Sequence, residues 1–191
     1  EDTGAYPKSA LVTTDTEIES QNMIDYLCSC GHKRIAFITS RDEGLGRCHL
    51  NGYKRALEKN GLEYDEKLII RLKPGKRIYT IENGYNCTCE LLKSGVDFSC
   101  IYAISDTLAV GACRAIIDSG KRVPEDYCVA GADGQDIAEY YHPSITTLKY
   151  PRVETAQQSV RTLFDLIDRK KVVKRQILGG TLIERESTRK L

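Results

Sequence analysis

Residues Ile101–Pro151 read IYAISDTLAVGACRAIIDSGKRVPEDYCVAGADGQDIAEYYHPSITTLKYP, and this stretch decides the fold class. An apolar run over Ser99–Ile104 predicts a buried strand, and Asp106 comes just after it. A helix with small residues follows, and a second predicted strand, Asp126–Gly131, leads to Asp133. In a parallel α/β sheet the carboxyl ends of the strands form the edge where such folds bind ligands. The two carboxylates are therefore predicted to lie in a ligand crevice.

The same alternation of strands and helices extends on both sides of this stretch. Further strands are predicted at Arg34–Thr39, Lys67–Leu72 and Ile145–Leu148. Helices are predicted at Glu17–Cys30, Cys48–Asn60, Ile81–Ser94 and Leu108–Ser119. Each predicted helix is followed directly by a glycine, which is a typical helix end. Strands that alternate with helices in this way predict an α/β fold with a doubly wound parallel sheet.

The pattern changes after Pro151. Apolar residues at helical spacing from Val153 to Ile167 predict one long amphipathic helix, and the basic stretch Arg169–Arg175 is interpreted as its solvated end. Two short strands are then predicted on either side of Gly179-Gly180. The chain could cross between two lobes at these glycines.

Composition excludes several classes of protein. Of 191 residues, Lys and Arg total 28 against 27 for Asp and Glu, so the net charge is +1. A surface built to bind nucleic acid is usually more basic. No apolar run approaches the roughly 20 residues of a membrane helix, and the polar start of the chain is unlike a signal peptide. Because residue 1 is not Met, we expect the sequence to be a fragment of a longer protein.

Eight cysteines raise the question of metals and disulfides. Cys28/Cys30 and Cys87/Cys89 are C-x-C pairs on predicted helices, where residues two apart point in different directions, so neither pair suits a metal. Others lie in apolar patterns, where a thiol behaves as a small hydrophobe. We predict reduced thiols in a cytoplasmic protein, with no metal and no cofactor.

Catalytic motifs are not found. The sequence has no G-x-G-x-x-G, Walker loop, G-x-S-x-G or H-E-x-x-H, and no nucleophile–base pair is evident. We therefore predict a protein that is not an enzyme.

A set of short motifs carries a resemblance over nearly the whole chain. In order they are Gly31-His32-Lys33-Arg34-Ile35-Ala36-Phe37, Asp106 with Ala109-x-Gly111-Ala112, Val129-x-Gly131-x-Asp133, Ile145-Thr146-Thr147 and Leu182-Ile183-Glu184-Arg185-Glu186-Ser187. Together they resemble the LacI/GalR family of bacterial transcription regulators, in its effector-sensing core rather than its DNA-binding headpiece.

The resemblance implies a fold like that of type I periplasmic binding proteins, with three α/β/α layers and two lobes joined by three crossover segments. The crossovers would be Gly31-His32, Leu148–Pro151 and Leu178–Thr181, the last including Gly179 and Gly180. Residues 1–31 and 152–178 would be a partial N-terminal lobe. Residues 32–151 and 179–191 would be a nearly complete C-terminal lobe, and the headpiece would be absent.

The resemblance also implies which residues bind the effector. The candidates are Arg47, Tyr79, Ser105, Asp106, Asp133 and Tyr150. A guanidinium at Arg47 offers forked donors to hydroxyls or a carboxylate, and Tyr79 could stack on a ring. Arg47 could instead only cap or neutralise a surface, and Asp133 could be only a turn former before Gly134.

Two departures from the family leave the effector open. Ser105 stands where the family commonly has Asn, and Ala132 stands where Phe or Tyr often precedes the second acid. We expect a small molecule such as a sugar, nucleobase or phosphorylated metabolite.

The leading hypothesis is an effector-sensing domain that forms a homodimer and modulates operator DNA binding through the absent headpiece. The alternative is a periplasmic solute-binding protein of a transporter or chemoreceptor, which the eight cysteines disfavour. Neither hypothesis places the chain in a membrane.

Overall fold

The structure is a computed structural model that describes residues 9–41, 43–73, 75 and 77–191. The chain forms two compact units. The larger unit comprises Thr16–Lys149 and Leu182–Leu191. The smaller unit comprises the described residues up to Asp15 together with Tyr150–Thr181.

The described strands and helices alternate along most of the chain. The strands are β1 Leu11–Thr13, β2 Ile35–Thr39, β3 Ile69–Arg71, β4 Cys100–Ala103, β5 Cys128–Asp133, β6 Thr146–Lys149, β7 Arg175–Ile177 and β8 Thr181–Ile183. The helices are α1 Thr16–Ser29, α2 Gly44–Lys59, α3 Ile81–Lys93, α4 Asp106–Asp118, α5 Asp136–Tyr140 and α6 Arg152–Ile167, with a 3₁₀ turn at Glu66–Leu68.

The larger unit is built on a sheet whose strand order, for the described residues, is β3-β2-β4-β5-β6-β8. The four pairs from β3 to β6 are parallel, with Cys100 in register with both Ile35 and Cys128. The chain passes from β2 to β3 in one direction and from β4 to β5 in the other. Right-handed crossovers therefore place α2 on one face of the sheet and α4 on the opposite face.

Apolar and aromatic side chains fill the space between the sheet and its helices. Every residue of β2 is buried, as the two-sided covering of a parallel sheet requires. Phe37 of β2 stacks on Tyr53 of α2 and on Tyr102 of β4, with ring centroids 5.0 and 5.2 Å apart. These three rings bind α2 to the centre of the sheet.

Helices α3 and α4 cross in close contact through two glycines. A Cβ atom on Gly84 would lie 2.2 Å from the carbonyl oxygen of Leu108, and one on Gly111 would lie 2.1 Å from that of Ile81. Only glycine permits this approach. The crossing brings the first turns of both helices together.

The smaller unit contains a two-stranded sheet and one long helix. Strand β1 pairs in parallel with β7, and α6 packs on β1. Gln176 of β7 accepts a hydrogen bond from Gln158 (2.7 Å) and donates one to Thr162 (3.0 Å), both on α6. Several large apolar side chains of α6 remain exposed, including Leu163 and Phe164 at 56% and 61%.

The predicted α/β fold with a parallel sheet is confirmed, but several element ends differ. Helix α2 begins at Gly44 rather than Cys48, because tertiary contacts outweigh the low helix propensity of the two glycines in its first turn, Gly44 and Gly46. Strand β5 ends at Asp133 rather than Gly131, so Asp133 belongs to the strand. Strand β1 was not predicted.

The first boundary between the units is also not where the sequence predicted it. Helix α1 packs on α2 inside the larger unit, with Met23, Ile24 and Leu27 fully buried. The boundary therefore follows Asp15 rather than residue 31. Gly31 and His32 lie within the larger unit, where His32 is buried and its Nδ1 is 2.9 Å from Ser99 Oγ.

The other two boundaries fall close to the predicted crossovers. One lies between Lys149 and Tyr150, inside the segment Leu148–Pro151, and the other follows Thr181, after Gly179 and Gly180. Residues 1–8 of the predicted N-terminal lobe lie outside the described residues.

All eight cysteines are free thiols. No helix among the described residues has both the length and the apolar character needed to cross a membrane.

Candidate functional site

The order in which the chain adds strands to the sheet reverses at β2, because β3 lies on one side of β2 and β4 on the other. In such sheets this switch point forms a crevice at the carboxyl ends of the strands. The segments that follow β2, β3, β4 and β5 all reach this edge. Five of the six candidate effector residues lie in the larger unit that contains it.

Asp106 is the first residue of α4, and its side chain is completely buried. One carboxylate oxygen accepts a hydrogen bond from Thr147 Oγ1 and the other from the Gln135 backbone N–H, each at 2.6 Å. Burial raises the pKa of Asp106 to about 6, although both hydrogen bonds oppose the shift. Asp106 therefore supports β6 and the loop after β5, and a contact between its carboxylate and an effector stays a prediction.

Gly131 of β5 makes room for this carboxylate. A Cβ atom at Gly131 would lie 2.4 Å from Asp106 Oδ1 and 3.2 Å from the Ala109 side chain. The glycine of the motif Val129-x-Gly131-x-Asp133 thus has a steric reason, which is the close approach of Asp106. Glycine in β5 lets α4 approach closely enough for Asp106 to reach both donors.

Asp133 ends β5 in a left-handed backbone conformation, with φ of 103°. Its side chain is half-buried and accepts a hydrogen bond from Gln135 Nε2 at 2.8 Å. Gly134 follows with φ of 66°, and a Cβ atom there would lie 2.6 Å from the Lys149 side chain. A conformation that most side chains avoid, held by a buried support, is common at ligand sites.

Ser105 and Tyr79 are linked through Thr107. Ser105 caps the N-terminus of α4 by accepting a hydrogen bond from the Leu108 N–H, and its hydroxyl is 3.0 Å from Thr107 Oγ1. Thr107 Oγ1 donates to the Tyr79 carbonyl at 3.2 Å. Ser105 is buried, whereas Tyr79 is 47% exposed and is one of the residues that line a cleft at this edge.

A cleft of about 390 Å³ lies beside the carboxyl ends of β2 and β3. Its lining combines apolar, basic and small polar residues: Ser40, Arg41, Glu43, Leu45, Gly46, Leu72, Lys73, Gly75, Ile78 and Tyr79. Clefts with an apolar wall and a few charged groups are typical of small-molecule sites.

The loop after β2 folds tightly onto the first turn of α2. A Cβ atom on Gly46 would lie 1.9 Å from the Arg41 carbonyl oxygen and 2.4 Å from Ser40 Oγ. The Leu72 N–H donates to the Thr39 carbonyl at 2.8 Å, which aligns the segment after β3 with the loop after β2. These contacts bring Arg41 and Lys73 to the same cleft.

The two remaining candidates have different positions. Arg47 is exposed in the first turn of α2, directly after Gly46. Tyr150 is the first residue after the boundary at Lys149, so it belongs to the smaller unit. Ligand contacts by either residue stay predictions.

Sequence analysis did not identify Arg41, Lys73, Gln135 or Thr147 as site residues. Arg41 and Lys73 follow the ends of β2 and β3 by two residues, which is the signal that identified Asp106. Gln135 and Thr147 gave no comparable signal, because their roles depend on hydrogen bonds between distant segments.

A second group of buried polar side chains comes from α1, α2 and β4. His49 Nδ1 is 2.7 Å from Ser20 Oγ, which is 3.4 Å from the Tyr102 hydroxyl. Burial lowers the pKa of His49 to about 4, so this histidine is neutral at physiological pH. Among the residues that the structure describes, no group of three His, Cys, Asp or Glu could hold a metal ion.

The fold, the crevice at its switch point and the acid-bearing strand ends define a ligand-binding α/β domain. A model of the periplasmic binding protein-like domain matches residues 24–188. The chain belongs to this family, and within it to the effector-binding cores of LacI-family transcription regulators.

Individual relatives agree with that assignment. The chain is 41% identical over 146 residues to the HTH-type transcriptional regulator MalR of Clostridium butyricum, covering 76% of this chain and 42% of MalR. A sugar-binding LacI-family regulator from Escherichia coli complexed with phosphate has 32% identity and a TM-score of 0.85, covering 93% of this chain and 63% of its own.

A LacI-family regulator from Enterococcus faecium with bound ribose has 30% identity and a TM-score of 0.82, covering 97% of this chain and 67% of its own. The chain spans about half the length of the curated relatives it matches.

Proposed function

We propose that this domain binds a small sugar-like effector and that binding modulates the DNA affinity of an HTH-type regulator. The observation that carries the proposal is Asp133, presented at a strand end by Gln135 and, through it, by the buried Asp106. A carboxylate held in this way accepts hydrogen bonds from the hydroxyls of a sugar. One relative has bound ribose, and the MalR relative is an HTH-type regulator.

Regulation would follow from differential affinity. An effector that binds one conformation of the regulator more tightly shifts the population toward it and thereby changes affinity for DNA. The site acts by binding alone, without a catalytic step. In agreement with the family resemblance, we infer that the protein is a homodimer and works in the cytoplasm. Sedimentation of the intact natural protein tests the homodimer. The relatives favour a regulator over a solute-binding protein.

The proposal is tested by calorimetric titration of the intact natural protein with a panel of neutral and charged sugars. Asp133→Asn is the informative variant, because Asn also tolerates a positive φ while losing the charge. We expect at least a tenfold loss of affinity for the ligand that binds, with an unchanged melting temperature.

Asp136→Asn, an exposed acid in the first turn of α5, is the matched control and should stay within twofold of the wild type. If no sugar of the panel binds, or if both variants bind equally well, the effector role is wrong.

A further inference from the structure

Basic side chains are concentrated at one part of the site. Arg41 and Lys73 line the cleft, Arg47 directly follows the lining residue Gly46, and Arg77 directly precedes the lining residue Ile78. Glu43 is the one described acid in the lining. The whole chain has a net charge of only +1, so this concentration does not follow from composition. We call the two basic residues that line the cleft, Arg41 and Lys73, the cationic side of the site.

Arg41, Lys73 and the nearby Arg77 differ from most arginines elsewhere in the larger unit. Arg34, Arg114 and Arg122 each form an ion pair with an aspartate at 2.8–3.3 Å. Arg41, Lys73 and Arg77 form no ion pair with any carboxylate that the structure describes. Their charge is therefore available to a ligand.

The two ends of the site are separated by a distance that suits a bifunctional ligand. Arg41 follows β2 and Asp133 ends β5, with β4 between these strands. Two strand spacings amount to about 10 Å. A hexose that carries an anionic substituent spans this distance, whereas a bare anion does not. Tyr79 offers an aromatic face for the apolar side of a sugar ring.

We propose that the effector of this site is a sugar bearing an anionic group, a phosphate or a carboxylate, held by the cationic side while its hydroxyls reach Asp133. Arginine binds phosphate and carboxylate through two parallel hydrogen bonds, and lysine adds a point charge. The inference rests on the proposed function, because it names the class of effector for the same site.

The test compares a hexose 6-phosphate, the corresponding hexuronate and the neutral hexose by calorimetry on the intact natural protein. The variant is Arg41→Gln/Lys73→Gln. The matched control is Lys93→Gln/Lys121→Gln, which removes the same charge from two exposed positions, the last residue of α3 and a residue that follows α4. The two anionic sugars distinguish a phosphate from a carboxylate ligand.

We expect one of the anionic sugars to bind at least tenfold more tightly than the neutral hexose. The double variant should lose that advantage by tenfold or more, and the control should change it less than threefold. A preference for the neutral hexose, with no effect of the double variant, would overturn the inference and leave the proposed function standing. Binding of none of the three, nor of any other sugar, would overturn both.

Discussion

The two sides of the crevice are built in opposite ways. At the ends of β4, β5 and β6, which we call the carboxylate side, Asp106, Asp133, Gln135 and Thr147 are joined by hydrogen bonds of 2.6–2.8 Å. On the cationic side, at the ends of β2 and β3, the basic side chains are exposed. One side is a network of hydrogen bonds, and the other is a pair of long, exposed charged side chains.

This difference separates stability from ligand recognition. A buried network loses little entropy when a ligand binds, so it favours precise orientation of hydroxyl groups. Exposed basic side chains contribute little to stability, but they attract and hold an anion. We therefore expect substitutions of the buried residues on the carboxylate side to reduce stability. Substitutions of the half-buried Asp133 and on the cationic side should change affinity alone.

The largest effect is expected for Gly131→Ala. The added methyl group would overlap Asp106 Oδ1, at 2.4 Å, and would separate α4 from β5. Overpacking of this kind should cost about 3 kcal/mol of unfolding free energy, as measured by urea denaturation. The matched change on the cationic side is Gly75→Ala, where the nearest side-chain atom is 4.0 Å away. Equal losses for the two variants would contradict the comparison.

The pH dependence of stability should differ between the wild type and Asp106→Asn. The pKa of Asp106 is raised by burial from 3.8 to about 6, so the folded state binds its proton more tightly than the unfolded state. This contribution to stability is complete below pH 4 and is lost as pH rises through 6, by about 3 kcal/mol in total.

In the Asn variant this loss is absent, so the difference in unfolding free energy between the two proteins should change in favour of the variant from pH 4 to 6. Burial lowers the pKa of His49 to about 4, so the contribution of His49 to stability is lost as pH falls. This contribution is the same in both proteins and cancels in the difference. A constant difference across this range would show that Asp106 is not buried as described.

A smaller effect is expected for Thr147→Val. The substitution keeps the β-branched shape but removes the hydroxyl that donates to Asp106 and accepts from the Gly134 N–H. Loss of a hydrogen bond to a buried carboxylate should cost about 2 kcal/mol in chemical denaturation. Ser40→Ala in the cleft lining serves as the control, and a cost as large there would show that the two sides do not differ.

The smallest effect on stability is expected for Arg41→Gln/Lys73→Gln. Both side chains are exposed, so the unfolding free energy should stay within about 0.5 kcal/mol of the wild type. Thermal denaturation of the intact natural protein without ligand measures this. A substantial loss would mean that these cations support the fold rather than a ligand.

Much of this architecture could be predicted because its signals are local. Apolar runs such as that of β2 and the glycines that follow α2 and α4 indicate strands and helix ends through short-range periodicity and backbone preference. The resemblance added the family. The position of α1 could not be obtained in this way, because its apolar face packs on α2, and the pattern of a helix does not reveal its partner.

The candidate site was predicted in part for the same reason. Acids after strands are visible in the sequence, and Asp133 lies at the crevice. Whether such an acid faces a ligand or is buried depends on the opposite element, and the sequence does not distinguish Asp106 from Asp133 in that respect. Gln135 and Thr147 are brought to Asp106 from 29 and 41 residues away, a proximity that only the folded sheet creates.

The sequence by itself therefore determined the parallel α/β fold, the family and the edge of the sheet where a ligand would bind, since each depends on local patterns. Only the tertiary structure decided that Asp106 is a buried support whereas Asp133 is half-buried at the end of its strand, because burial depends on contacts between distant segments. It also decided that Arg41 and Lys73, 32 positions apart, share one cleft, because β2 and β3 are neighbours in the sheet.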